Sequence, residues 1–178
     1  MATALPFLFK TQRLLIRQLS LADADFIYRL LNSEGWLRYI GDRNITSSTE
    51  AEKYLREGPL KAYAEYGYGL YCVEELKSGV PMGLCGILNR NTLEYPDLGF
   101  AFLPEFTGKG YALEACEALL NHAHLPGNIH TLLAITLPYN TRSVGLLKKL
   151  GFVHSKDIQL PNDSDILQLY TLIVKEIR

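Results

Sequence analysis

The sequence is short of long apolar runs, of paired cysteines and of charge of one sign, and each shortage removes a class of protein. The apolar stretch near the N-terminus, Ala4 to Phe9, is far too short to span a bilayer and contains Pro6. The basic start and small-residue cleavage pattern of an export signal are also missing. Cys72, Cys85 and Cys116 are an odd number without CxxC spacing, so neither a disulfide framework nor a zinc site is indicated, and free thiols fit a reducing interior. Eighteen Lys plus Arg balance nineteen Asp plus Glu, with no block of like charge, so no basic nucleic-acid footprint is written in the composition. What is present is apolar: 48% of the 178 residues are hydrophobic, which excludes a disordered chain and is enough to bury a core. The expectation is a cytoplasmic protein with no membrane or nucleic-acid partner, one domain over residues 1–178 with its core from 11 to 174.

Periodicity places the elements. Thr11 to Leu19 alternates as a half-buried strand. Ser20, with Asp23 three residues on, caps a helix whose apolar positions are Leu21, Ala24, Ile27, Tyr28 and Leu31. Ser47 and Glu50 form a second capping box, and Gly58-Pro59 predicts a kink or a second short helix to about Tyr66. Gly69 to Glu74 and Met82 to Leu88 read as strands joined by a hairpin-like turn, and Tyr95 to Leu103 as a third. A helix from about Gly110 to His124, a strand from Ile129 to Leu137, a helix from Thr141 to Leu150 and a final strand pair complete the chain. Strand, helix, strand from 95 to 137 is a crossover joining parallel strands, whereas the earlier strands join by hairpins. The fold class is therefore α/β (α+β), a mixed and mostly antiparallel sheet with helices on its faces.

Chemistry concentrates between Gly99 and Ala112. A strand stops at Pro104, Gly108 and Gly110 leave a loop without side chains, and a helix starts at once. The first N–H groups of that helix have no intrahelical acceptor and the dipole is positive there, so the loop from Thr107 through Gly108, Lys109, Gly110 and Tyr111 to Ala112 suits a phosphate or pyrophosphate. Leu113 stands where a dinucleotide fingerprint needs its third glycine, and no P-loop is present. An ordinary strand-to-helix turn would carry the same two glycines. Asn140 suits an N-cap for the helix at Thr141. Two histidines in the last turn of the long helix, His122 and His124, complement its dipole and lack the convergent ligands of a metal site, so no metal is expected.

The pattern Pro104-x-x-x-Gly108-x-Gly110-Tyr111-Ala112, then a strand, then Asn140-x-x-Ser143 and Lys149-Leu150-Gly151-Phe152, resembles the GNAT superfamily of N-acetyltransferases. The opening Thr11-x-Arg13-Leu14-x-Ile16-Arg17 and Asp97-Leu98-Gly99-Phe100 resemble its ribosomal-protein N-terminal-amine branch. The resemblance implies a GNAT-like sheet whose one central parallel strand pair splays apart to take acetyl-CoA. Phe100, Ala101 and Phe102 would pair with the pantetheine arm, the glycine loop would hold the pyrophosphate, and Asn140 and Ser143 would contact the cofactor. The family tyrosine seven residues after the Asn is Leu147 here, so Ser143 is the expected donor to the leaving sulfur. Asp97 would be the base, directly or through water, with Glu94 the second candidate; a strand-end residue bonded to nearby backbone is the other reading of Asp97. Implied is direct acetyl transfer in a ternary complex to a protein N-terminal α-amine or a small-molecule amine. A non-catalytic acyl-CoA-binding or sensor module of the same fold is the alternative, and monomer and homodimer are both open. Trp36, Tyr39, Tyr63, Tyr66 and Tyr68 are candidates for core packing or for the acceptor wall.

Overall fold

A computed structural model describes residues 7–121, 129–161 and 163–174. Eight strands form one sheet: β1 (Phe7–Lys10), β2 (Leu14–Arg17), β3 (Leu70–Glu75), β4 (Pro81–Leu88), β5 (Asp97–Phe102), β6 (Thr131–Thr136), β7 (Val153–Gln159) and β8 (Ile166–Ile173). Their order across the sheet is β1-β2-β3-β4-β5-β6-β8-β7. Every neighbouring pair is antiparallel except β5 and β6, the crossover expected from the sequence. β1 was not expected. Four residues gain a strand only by pairing with β2 at the sheet edge, a tertiary event that periodicity does not carry.

The helices are α1 (Ala24–Leu31), α2 (Glu34–Tyr39), α3 (Ser48–Leu55), α4 (Lys61–Tyr66), α5 (Tyr111–Asn121) and α6 (Thr141–Lys149). The Ser20–Asp23 capping box is present, opening a short 3-10 turn that leads into α1. Ser47 caps α3 as read. Pro59, which has no N–H to donate, sits in a widened turn from Arg56 to Leu60, so α3 runs into α4 through a bulge rather than a break. α5 is described as far as Asn121; His122 and His124 lie outside the described residues.

Both sheet faces are covered where side chains alternate between two cores. Leu70, Cys72 and Leu84 point to one face, beneath Ile27, Leu30 and Leu31 of α1, Trp36 of α2, and Ala51 and Leu55 of α3. Tyr71, Val73, Met82 and Cys85 point to the other, beneath Ala115, Cys116 and Leu119 of α5 and Leu147 of α6. Cys85 and Cys116 meet there as free, fully buried thiols with sulfurs 3.5 Å apart. Arg17 closes the first layer. It donates to Glu74 (2.7 Å) and forks onto Asp23 (2.9 and 2.7 Å), so the two buried carboxylates are paired rather than stranded.

Among the described residues, no helix is long and apolar enough to cross a membrane.

Candidate active site

The parallel pair holds at one point only, Asp97 opposite Leu133, where the Leu133 N–H donates to the Pro96 carbonyl at 2.9 Å. Beyond it β5 stays bound to β4 as far as Phe102 while β6 diverges. The alternation of an antiparallel ladder says which groups that leaves free. The Leu103 N–H donates to Met82 of β4, so Leu103, Ala101 and Gly99 direct their backbone groups toward β4. Phe100 and Phe102 direct theirs into the gap. Of the three residues read as pantetheine partners, two have the right register; the Ala101 backbone is committed to β4.

At the end of this edge lies the glycine loop. Gly108 (φ 74°) and Gly110 (φ 81°) occupy the left-handed region, where a side chain is strained. The first helical bond of α5 runs from the Glu114 N–H to the Gly110 carbonyl. The amides from Gly108 to Leu113 consequently have no acceptor among the described residues. A Cβ on Gly108 would meet nothing within 4 Å, so the loop is open to a ligand. Thr107 is different: its N–H and its hydroxyl both donate to the Pro104 carbonyl, and its oxygen accepts from Arg142 (3.3 Å). It braces the loop and offers the anion site no donor. Lys109, Arg142 and Arg13 are exposed cations beside the loop. A loop of free N–H groups, flanked by cations and continuous with an unpaired strand edge, fits a diphosphate carrying an extended amide arm.

Across the gap, Asn140 caps α6 with its Oδ1, which accepts from the Ser143 N–H at 3.3 Å. That cap leaves the Asn140 Nδ2 unbonded among the described residues, so capping and cofactor contact are compatible. Ser143 is half-buried, and its hydroxyl also has no partner among the described residues. Leu147, one turn on along the same face, is 1% exposed and packs in the core. That position offers no proton donor, and Ser143 is the hydroxyl at the sheet end of the helix face.

Asp97 sits at the vertex of the gap but is 1% exposed, with both oxygens 3.0 Å from the Arg90 Nε. Burial raises its pKa, opposed by the guanidinium. Its geometry is that of an anchor for the turn between β4 and β5. Glu94, on that same turn, is exposed and lines a cleft of about 480 Å³ with Leu93, Tyr95, Leu133, Lys156 and Thr171. Leu133 alternates with Leu132 and Ala134, which pack in the core shared with α5 and α6, so the cleft opens on the opposite sheet face and reaches the vertex.

The aromatic group sorts itself. Trp36 is a core residue. Tyr63 stacks on Tyr71, accepts from the Leu19 N–H and donates to the Leu70 carbonyl. Tyr66 and Tyr68 pair with each other. Tyr39 alone packs against the loop before α6, its ring 6.1 Å from Tyr139. Tyr139, 56% exposed beside Asn140, was missed because a lone tyrosine in a loop has no pattern to betray it.

Residues 13–153 match the family described as Acetyltransferase (GNAT) domain. The uncharacterized N-acetyltransferase YnaD of Bacillus subtilis is 25% identical over 141 residues, 79% of each chain. YkkB of the same organism, also uncharacterized, is 30% identical over 99 residues, 53% of this chain and 56% of that one, so the match spans little more than half of that relative. Among solved structures, RimL, a ribosomal L7/L12 alpha-N-protein acetyltransferase in complex with coenzyme A, shares the fold with a TM-score of 0.80 at 16% identity, covering 95% of this chain and 98% of its own. The splayed strands, the glycine loop and the matched span together leave one assignment: the chain belongs to the GNAT acetyltransferase family.

Proposed function

We propose that the protein transfers an acetyl group from acetyl-CoA to a primary amine, directly and within a ternary complex, the amine arriving on the sheet face opposite α5 and α6. One observation carries the reading: amides from Gly108 to Leu113, unpaired among the described residues, continue into a backbone edge at Phe100 and Phe102 that is likewise unpaired there and ends at the Asp97–Leu133 vertex. Acetyl-CoA, when bound, supplies the acetyl group already activated as a thioester. The loop amides hold its diphosphate, with Lys109 and Arg142 offsetting charge. Phe100 and Phe102 bond the pantetheine arm as an added strand would, and the Asn140 Nδ2 steadies it. Ser143 donates a hydrogen bond to the departing sulfur.

The acceptor reading is a peptide N-terminal α-amine. Such an amine, with a pKa of roughly 7.7–8, is partly neutral at physiological pH, whereas a lysine amine at ~10.4 needs far more help. Glu94 then steers one ammonium into the cleft and takes its proton directly or through water; the sealed Asp97 keeps the turn in place. Among the described residues Glu94 is the one carboxylate lining the cleft and Lys156 lines it too, which suits a single ammonium and disfavours a polyamine.

The test is acetyl-CoA with a panel of N-terminal peptides, amino acids and polyamines, followed by release of free thiol. Turnover with peptides supports the reading. Cofactor binding without turnover on any amine would replace the enzyme with an acyl-CoA sensor of the same fold.

A further inference from the structure

Arg13 comes from the turn before β2, far in sequence from the glycine loop, yet it is built into that loop. Its Nη1 donates to the Lys109 carbonyl at 3.1 Å and its Nε to Glu114 Oε2 at 2.6 Å. Its guanidinium lies 4.4 Å over the Tyr111 ring. Glu114, in the first turn of α5, is held by two further donors: the Arg13 backbone N–H (3.0 Å) and the Thr11 hydroxyl (2.6 Å) both donate to Oε1.

A peptide between a residue and a glycine at positive φ can turn over at little steric cost. Because the unit is planar and trans, the Gly110 N–H points opposite to the Lys109 carbonyl. A carbonyl tied back to Arg13 therefore aims the Gly110 N–H outward, toward the open end of the loop. A flipped unit would present an oxygen to a phosphate instead of a donor. We infer that Arg13 is a positioning residue for the cofactor, locking the Lys109–Gly110 peptide in the orientation that binds a diphosphate. The inference rests on the reading of this loop as the coenzyme A site. Glu114 completes the lock. Burial raises its carboxyl pKa, but the bonds from Thr11 and Arg13 more than reverse this and keep it low, so the carboxylate is ionised near neutrality. The side chain of Arg13 is 43% exposed, so removing it opens no core cavity.

The experiment measures acetyl-CoA affinity by calorimetry, with steady-state rates and melting, for the wild type, Arg13→Ala and Arg13→Lys. Loss of a charge-assisted hydrogen bond predicts acetyl-CoA binding weaker by roughly tenfold to a hundredfold in Arg13→Ala. The rate at saturating acetyl-CoA and the KM of the acceptor stay at wild-type values. Arg13→Lys recovers only part of the affinity, because one ammonium cannot fork between Glu114 and the Lys109 carbonyl. The apo Gly110 amide resonance also shifts in Arg13→Ala, a change that a purely structural salt bridge distant from the loop peptide does not produce. Equal affinity in wild type and Arg13→Ala overturns the inference, as does a weakened affinity fully restored by lysine. A wild type that binds no acetyl-CoA overturns the site reading itself, and this inference with it.

Discussion

Replacing Ser143 with alanine isolates one oxygen atom. Its amide is already capped by the Asn140 Oδ1, its Cβ is fixed by the start of α6, and its hydroxyl bonds no described residue. Nothing in the fold depends on that hydroxyl. Alanine is the better helix former by up to ~0.5 kcal/mol, so the melting midpoint should hold or rise slightly. If Ser143 donates to the departing thiolate, the lost interaction is a hydrogen bond to a charged group, worth about 1.5–3 kcal/mol. That predicts a kcat lower by roughly tenfold to a hundred-and-fiftyfold. The bond exists only as the sulfur gains charge, so the KM for acetyl-CoA should stay unchanged. Free-thiol release at saturating acetyl-CoA gives kcat, calorimetry gives cofactor affinity, and Ser143→Thr, which keeps a hydroxyl, should retain a larger share of the rate. A kcat within about twofold of wild type, with the cofactor still bound, removes Ser143 from the chemistry.

Gly110→Ala forces a side chain into the left-handed region and brings its Cβ to 3.4 Å from Arg13 Nη2, so acetyl-CoA affinity should fall several-fold in calorimetry while secondary structure by circular dichroism is kept. Glu94→Gln should raise the KM for a peptide acceptor and lower kcat across the pH–rate profile; an unchanged kcat clears Glu94 of the base role. Asp97→Asn should leave that profile in place and raise the acceptor KM, because Arg90 and its turn lose their anchor. Glu114 has a lowered pKa in the folded protein, so its bonds stabilise fully above the ordinary carboxylate range and fade as pH falls through the lower folded value. The melting difference between wild type and Glu114→Gln should therefore be largest near pH 7 and close below about pH 4.

Local chemistry was legible where a residue's role is decided by its chain neighbours. Ser20 with Asp23 and Ser47 with Glu50 announce their helices, and the glycine loop stands where the sequence puts it, between a strand and an amphipathic helix. Tertiary events were not legible. α2 is six residues capped by Ser33 without an acidic or amide partner at the third helical position, so it hid inside a stretch with no period. The Arg90 pairing that seals Asp97 depends on how the turn folds back over β5, and the commitment of Ala101 to β4 depends on register, where one residue reverses every backbone group. The work of Arg13 and Arg17 was visible as a motif and silent as physics. Their partners, Glu114 and Lys109, and Asp23 and Glu74, come mainly from distant sequence.

The most direct test of the account is to titrate the wild-type protein with coenzyme A and with pantetheine, which keeps the amide arm but carries no phosphate. Coenzyme A should bind with measurable heat and pantetheine at least a hundredfold more weakly, roughly the contribution of two charge-assisted bonds from the loop. Equal affinity for the two, or no heat from coenzyme A at millimolar concentration, would contradict it.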